Sequence, residues 1–140
     1  MDISAYIIIS IIILLVILVF RRYKMFVSGV GTEQSEKLII LSDQNFKQQI
    51  KHGVVLVDFW AEWCQPCKIQ GPIINQLAEE NANEGIKIAK LDVEKNPKVS
   101  GELGIRNIPT MIVFKNGEIK EKLVGLKTKK VLEKTLQKFI

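Results

Sequence analysis

The chain has 140 residues, of which 47% are hydrophobic, and its 20 basic and 15 acidic side chains give a formal net charge of +5. This length suits one compact domain with a short additional segment, so one core is expected. The positive excess is small and lacks an arginine-rich stripe with interleaved aromatic residues, so no nucleic-acid partner is expected.

The N-terminal segment is the most apolar part of the chain. Ile3–Phe20 contains no charged residue, and an uninterrupted helix of this length nearly matches the thickness of a bilayer core. Only Met1 and Asp2 precede it, which is unlike the positive start of a cleavable signal peptide. We therefore predict a single-pass transmembrane helix in an anchor segment at 1–24. A cleaved leader and a buried soluble helix are the alternatives.

Basic residues follow this run directly, at Arg21, Arg22 and Lys24. Because positive flanks favour the cytoplasmic side of a membrane, the C-terminal domain is expected on the cytoplasmic face, with an extracytoplasmic orientation as the alternative. Residues 25–35 contain Gly, Ser, Thr and Gln and are predicted to form a linker. The soluble domain is then expected at 36–140.

Strands and helices alternate along this domain. Apolar runs rich in β-branched residues predict strands at Leu38–Leu41, Val54–Trp60, Ile86–Leu91, Met111–Phe114 and Ile119–Val124. Helical spacing and capping signals predict helices at Asp43–His52, Cys64–Asn81, Lys98–Leu103 and Lys129–Phe139, with Ser42 and Asp43 as the cap of the first.

The order of these elements predicts an α/β fold, a mixed central sheet flanked by helices. Its first half is expected to be parallel. Its last two strands are expected to form an antiparallel hairpin through Asn116 and Gly117, because both residues tolerate positive φ.

The only two cysteines, Cys64 and Cys67, lie in the stretch "FWAEWCQPCK" at the end of a predicted strand. In a cytosolic setting such a pair is more often redox-active or metal-binding than structural. A closed zinc site lacks ligands, since His52 is the only histidine, although a metal shared between two chains stays open. A permanent disulfide would close a very short loop and stabilise little. Redox chemistry is the favoured interpretation.

A redox pair needs one exposed sulfur that ionises easily and a second that attacks the mixed disulfide. Cys64 is predicted at a helix N-terminus, where unpaired N–H groups and the helix dipole favour its thiolate. Pro66 suits the first turn of that helix. Cys67, one turn further on and more buried, is expected to be the resolving thiol.

Two segments carry a family resemblance: "VDFWAEWCQPCK" at Val57–Lys68 and "GIRNIPTMIVFKNGE" at Gly104–Glu118 resemble the thioredoxin family, and "KLDVEKNP" lies between them as expected. The resemblance covers about Glu33–Ile140. It implies the thioredoxin fold and an enzyme that reduces protein disulfides by dithiol exchange. No cofactor besides the Cys64–Cys67 pair is implied, and a thioredoxin reductase is the implied electron donor.

The same resemblance assigns roles to individual residues. Asp58 would be a buried carboxyl that accepts the proton of Cys67, and Lys90 would lie near it; a carboxyl that only caps backbone and an ordinary exposed lysine are the alternatives. Pro109 matches the family's cis proline, and the backbone at Ile108 would pair with an extended substrate. The implied substrate-binding residues are Trp63, Gln65, Pro66, Ile108, Pro109 and Gly125, with no metal ligand.

One position departs from the family pattern, because Gln65 follows Cys64 where thioredoxins mostly carry glycine. Residues between the cysteines tune the reduction potential, so net reductase function is less certain than exchange itself. Two alternatives therefore stay open. One is an outward-facing oxidoreductase in cytochrome or envelope-protein maturation, and the other is a tethered interaction module whose cysteines are incidental.

Overall fold

The computed structural model describes residues 3–29 and 34–140, with side chains at 6–22 and 34–140. The chain divides into two units, the second of which is Gln34–Ile140. In the first unit, helix α1 spans Ile3–Gly29, so the helix continues into the predicted linker, and 30–33 lie outside the described residues. No helix in the described part of the chain has the length and apolar character required to cross a membrane. The transmembrane anchor therefore stays a prediction.

The second unit contains one five-stranded sheet, with the strand order β1-β3-β2-β4-β5. The strands are β1 (Ile39–Leu41), β2 (Val54–Trp60), β3 (Ile86–Asp92), β4 (Thr110–Lys115) and β5 (Glu118–Val124). β3 pairs in parallel with β1 and β2, whereas β4 pairs antiparallel with β2 and β5. The predicted mixed sheet is confirmed, and its central strand β2 carries the residues that lead to the cysteines.

The β4–β5 hairpin turns at Asn116 and Gly117, whose φ values are 52° and 85°. Both residues thus adopt the positive φ that a two-residue hairpin turn requires. The hairpin predicted from this dipeptide is confirmed.

Four helices flank the sheet: α2 (Phe46–Ile50), α3 (Gln65–Asn81), α4 (Pro97–Glu102) and α5 (Lys129–Gln137). Because successive strand residues point to opposite faces, the buried core forms two layers. Val54 and Leu56 of β2 pack with Leu77 of α3 and Leu132 of α5. The alternate residues of β2 point to the other face of the sheet, where they pack against α2 and α4.

The predicted start of α2 was wrong. Asp43 does not cap this helix. Its carboxylate instead accepts hydrogen bonds from the backbone N–H groups of Lys98 and Val99, at 3.3 and 2.9 Å, in the first turn of α4. Helix α2 begins only after Asn45, whose side chain accepts from the N–H of Ser42 at 2.8 Å. Asp43 therefore joins two helices on the same face of the sheet.

Candidate active site

The start of α3 is built around Cys64. This residue occupies the N-cap position with extended backbone (φ −82°, ψ 106°), and its sulfur accepts a hydrogen bond from the N–H of Cys67 at 3.3 Å. Pro66 lies in the first helical turn, where its missing N–H removes no helix hydrogen bond. The prediction that Cys64 sits at a helix N-terminus is confirmed.

Cys64 and Cys67 are joined by a disulfide, with their Cα atoms 5.3 Å apart. The structure thus describes the oxidised state. The prediction that Cys64 is exposed and Cys67 more buried was wrong for this state, because the two residues are only 3% and 4% exposed. Trp60, Ala61 and Ile108 pack in one cluster with the two cysteines. Within the described residues, no group of His, Cys, Asp or Glu side chains could hold a metal ion.

Asp58 lies on β2 and is only 2% exposed. It continues the alternation that directs Val54 and Leu56 toward α3, so its carboxyl is on the face of the sheet that α3 covers. Its Oδ1 has no hydrogen-bond partner within the described part of the chain. Burial raises the pKa of Asp58 from 3.8 to about 7, against the opposing effect of Lys90. Oδ1 of Asp58 therefore caps no backbone N–H group.

Lys90 lies on β3 in register with Asp58. Its ammonium group is 4.8 Å from the centre of the Trp60 ring, a cation–π geometry. Burial lowers the pKa of Lys90, while the charges of Asp58 and Asp92 act in the opposite direction. The half-buried lysine is therefore held beside the carboxyl, unlike an ordinary exposed lysine at a strand end.

The segment before β4 faces the disulfide. The Ile108–Pro109 peptide bond is cis, as the resemblance predicted. The side chain of Ile108 packs against the disulfide cluster, and Pro109 is buried. The N–H of Gly125 donates to the carbonyl oxygen of Pro109 at 2.8 Å, and Gly125 has a φ of 79°. This hydrogen bond joins the β5–α5 loop to the segment beside the cysteines.

The outer rim of the site is exposed. Trp63 is 65% exposed, and its Nε1 donates to Glu94 at 2.8 Å, which holds the indole in place. Gln65 and Pro66 are both exposed at the start of α3. Of the predicted substrate-binding residues, Trp63, Gln65 and Pro66 are thus exposed beside the cysteines in the sequence, whereas Pro109 is buried.

Sequence reasoning missed Gln70, which is fully buried on α3. Its Oε1 accepts from the N–H of Lys127 at 2.9 Å, and its Nε2 has no partner within the described residues. The spacing of Cys67, Gln70, Ile74 and Leu77 is the helical spacing of one buried face, so this pattern was the signal that could have identified it.

The chain is similar to known thioredoxins. The thioredoxin family model matches residues 37–138. The chain is 38% identical over 100 residues to a thioredoxin of Listeria monocytogenes, covering 71% of this chain and 96% of the relative. It is 40% identical over 103 residues to a thioredoxin of Bacillus subtilis (74% and 98%) and 44% identical over 108 residues to thioredoxin 2 of Chlorobaculum tepidum (76% and 98%).

The chain belongs to the thioredoxin family. It is a thiol-disulfide oxidoreductase that reduces protein disulfides, and the Cys64–Cys67 disulfide is its own redox group.

Proposed function

We propose that the reduced enzyme acts through four side chains with distinct roles, those of Cys64, Cys67, Asp58 and Lys90. The thiolate of Cys64 attacks one sulfur of a substrate disulfide, forming a mixed disulfide and releasing the other substrate sulfur as a thiolate, which takes up a proton. The carboxylate of Asp58 then accepts the thiol proton of Cys67. The Cys67 thiolate attacks the Cys64 sulfur, which releases the second substrate sulfur. Two electrons pass to the substrate, and the enzyme is left as the disulfide.

The observation that carries this assignment is the unpaired carboxyl oxygen of Asp58, on the face of β2 that α3 covers. An acid-base group works best when its pKa lies near the working pH, and the pKa of Asp58 is raised to about 7. Lys90 acts by limiting that rise.

Substrate binding is proposed at the surface around the disulfide. An extended segment of a protein substrate pairs with the backbone at Ile108, as a strand added to the edge of the site. This surface is bordered by Trp63, Gln65, Pro66 and Gly125. The buried Pro109 fixes the backbone next to Ile108. The electron donor that returns the disulfide to the dithiol is proposed to be an NADPH-dependent thioredoxin reductase.

Reduction of insulin disulfides by the full chain tests the chemistry. The wild type should turn over in the presence of a reductant that regenerates the dithiol, and Cys64→Ser should be inactive. An exposed substitution on α3 away from the cysteines, Gln76→Leu, is the matched control and should keep wild-type turnover. Equal rates for the wild type and Cys64→Ser would reject the assignment of the nucleophile.

The N-terminal helix is proposed to anchor the enzyme to a membrane. Its side chains from Tyr6 to Phe20 are exposed in the structure, and a long exposed apolar surface commonly marks contact with lipid or protein. The absence of charge from Ile3–Phe20 supports this proposal. The basic residues that follow support a cytoplasmic location for the domain.

Fractionation of cells tests the anchor. The wild type should stay with membranes after an alkaline wash, whereas Ile12→Lys combined with Val16→Lys should be released, because each lysine at the centre of a span costs about 3 kcal/mol. Ile119→Lys, at an exposed position of β5, is the control and should stay bound. Recovery of the wild type in the soluble fraction would contradict the anchor.

The side of the membrane on which the redox domain lies needs a separate measurement. A membrane-impermeant thiol reagent applied to intact cells should label the reduced cysteines only after lysis. Labelling before lysis would contradict the cytoplasmic location and favour the outward-facing alternative.

A further inference from the structure

Gln70 links the redox helix to the loop that follows β5. It lies one turn after Cys67 on α3 and is 0% exposed. Its Oε1 accepts from the backbone N–H of Lys127 at 2.9 Å, across 57 residues of sequence. Oε1 is therefore the acceptor for a backbone donor in the β5–α5 loop.

The same loop is attached to the segment beside the disulfide. The N–H of Gly125 donates to the carbonyl oxygen of Pro109 at 2.8 Å. The ammonium group of Lys127 donates to the carbonyl oxygens of Val124 and Gly125, at 2.5 and 3.3 Å. A chain of hydrogen bonds therefore runs from α3 through residues 125–127 to Pro109.

Gln70 is a poor choice for stability alone. Its buried Nε2 is left without a hydrogen-bond partner in the described part of the chain, and a buried unpaired donor is unfavourable. The neighbouring positions of this buried face, such as Ile74 and Leu77, are aliphatic. Replacement by leucine removes the unpaired donor along with the acceptor, so the two effects on the free energy of unfolding oppose each other.

We propose that Gln70 is a positioning residue for protein substrates. Its hydrogen bond to Lys127 holds residues 125–127, and through Gly125 the Pro109 segment, in the arrangement that receives an extended substrate. This inference rests on the proposed docking surface at Ile108 and Gly125. It assigns to Gln70 no contact with the reacting sulfurs. Binding of protein disulfides therefore depends on Gln70, whereas the chemistry at Cys64 does not.

The test compares two substrates, insulin and a small aromatic disulfide that does not need the docking surface. Gln70→Leu in the full chain should raise KM for insulin about 3- to 10-fold, which corresponds to the loss of one hydrogen bond. The kcat for insulin and the kcat/KM for the small disulfide should stay within about twofold of the wild type. Gln76→Leu, an exposed glutamine on the same helix, should change neither substrate.

Folding is checked separately, by urea unfolding of the oxidised variants. Gln70→Met, which has a similar length and no acceptor oxygen, replaces Gln70→Leu should the latter fail to fold. An unchanged insulin KM in a folded variant would overturn the proposal. An equal loss on both substrates would also overturn it, since this would place Gln70 in the chemistry or in general stability. Lack of wild-type turnover on either substrate would instead reject the proposed function itself.

Discussion

Asp58 on β2 and Lys90 on β3 lie in register on neighbouring parallel strands, and the charge of each favours the charged form of the other. Burial acts against both charges. For Asp58, burial dominates and places its pKa at about 7. The carboxyl can therefore both accept and release a proton near neutral pH, as the resolution of a mixed disulfide requires.

The stability of the oxidised protein should fall as pH rises, through the titration of Asp58. The native pKa of about 7 lies above the ordinary value of 3.8, so between these values the native state keeps a proton that the unfolded state has lost. Rising pH therefore favours unfolding across this window, by at most about 4 kcal/mol. Asp58→Asn should remove this contribution. Urea unfolding of both proteins at several pH values measures it, and parallel pH profiles would contradict it.

Asp58→Asn should also slow turnover, because an amide cannot accept the Cys67 proton. We expect insulin reduction near neutral pH to fall by about 10- to 100-fold, at or below the lower end of what general bases contribute. The difference from the wild type should shrink in alkaline solution, where thiols ionise without help, since a free cysteine has a pKa of about 8.5. A loss that is the same at every pH would instead indicate damage to the fold.

Lys90→Gln should shift the pH–rate profile toward higher pH. The ammonium group of Lys90 lowers the pKa of Asp58, so its removal should raise that pKa further. Lys87→Gln is the control, because Lys87 lies on the same strand but pairs with Val55 and donates to the carbonyl oxygen of Gln49. Identical profiles for Lys90→Gln and the wild type would show that Lys90 does not tune the carboxyl.

Cys67→Ser should trap the mixed disulfide between Cys64 and its substrate. Without the second thiol, the intermediate can be released only by an outside thiol, so a covalent complex with a protein disulfide substrate should accumulate. Non-reducing electrophoresis detects this complex, and added dithiothreitol should reduce the mixed disulfide and separate the two proteins. Cys64→Ser should form no such complex. Complex formation by Cys64→Ser but not by Cys67→Ser would reverse the two roles.

Much of the fold followed from local sequence. The apolar run of β2 and the Asn116–Gly117 dipeptide each specify one structure, because burial on both faces and positive φ have few alternatives. The hydrogen bonds of Asp43 could not be predicted in this way, because its partners Lys98 and Val99 lie more than 50 residues away along the chain. A local capping rule cannot include such a contact.

In the candidate site, too, local features were predictable from the sequence and long-range contacts were not. The position of Cys64 at the start of α3 was predictable from Pro66 and the preceding strand. Its burial was not, because Ile108, which packs against the cysteine cluster, belongs to a distant segment. Gln70 had the spacing of a buried residue, but only the fold brings Lys127 to its carbonyl oxygen.

The proposed activity depends on the start of α3 favouring the thiolate of Cys64. The most direct test is the pH dependence of Cys64 alkylation in the reduced protein, with Cys67→Ser to isolate the single thiol. We expect the midpoint to lie clearly below the value of about 8.5 for a free cysteine. A midpoint at or above that value would show that the start of α3 does not stabilise the thiolate.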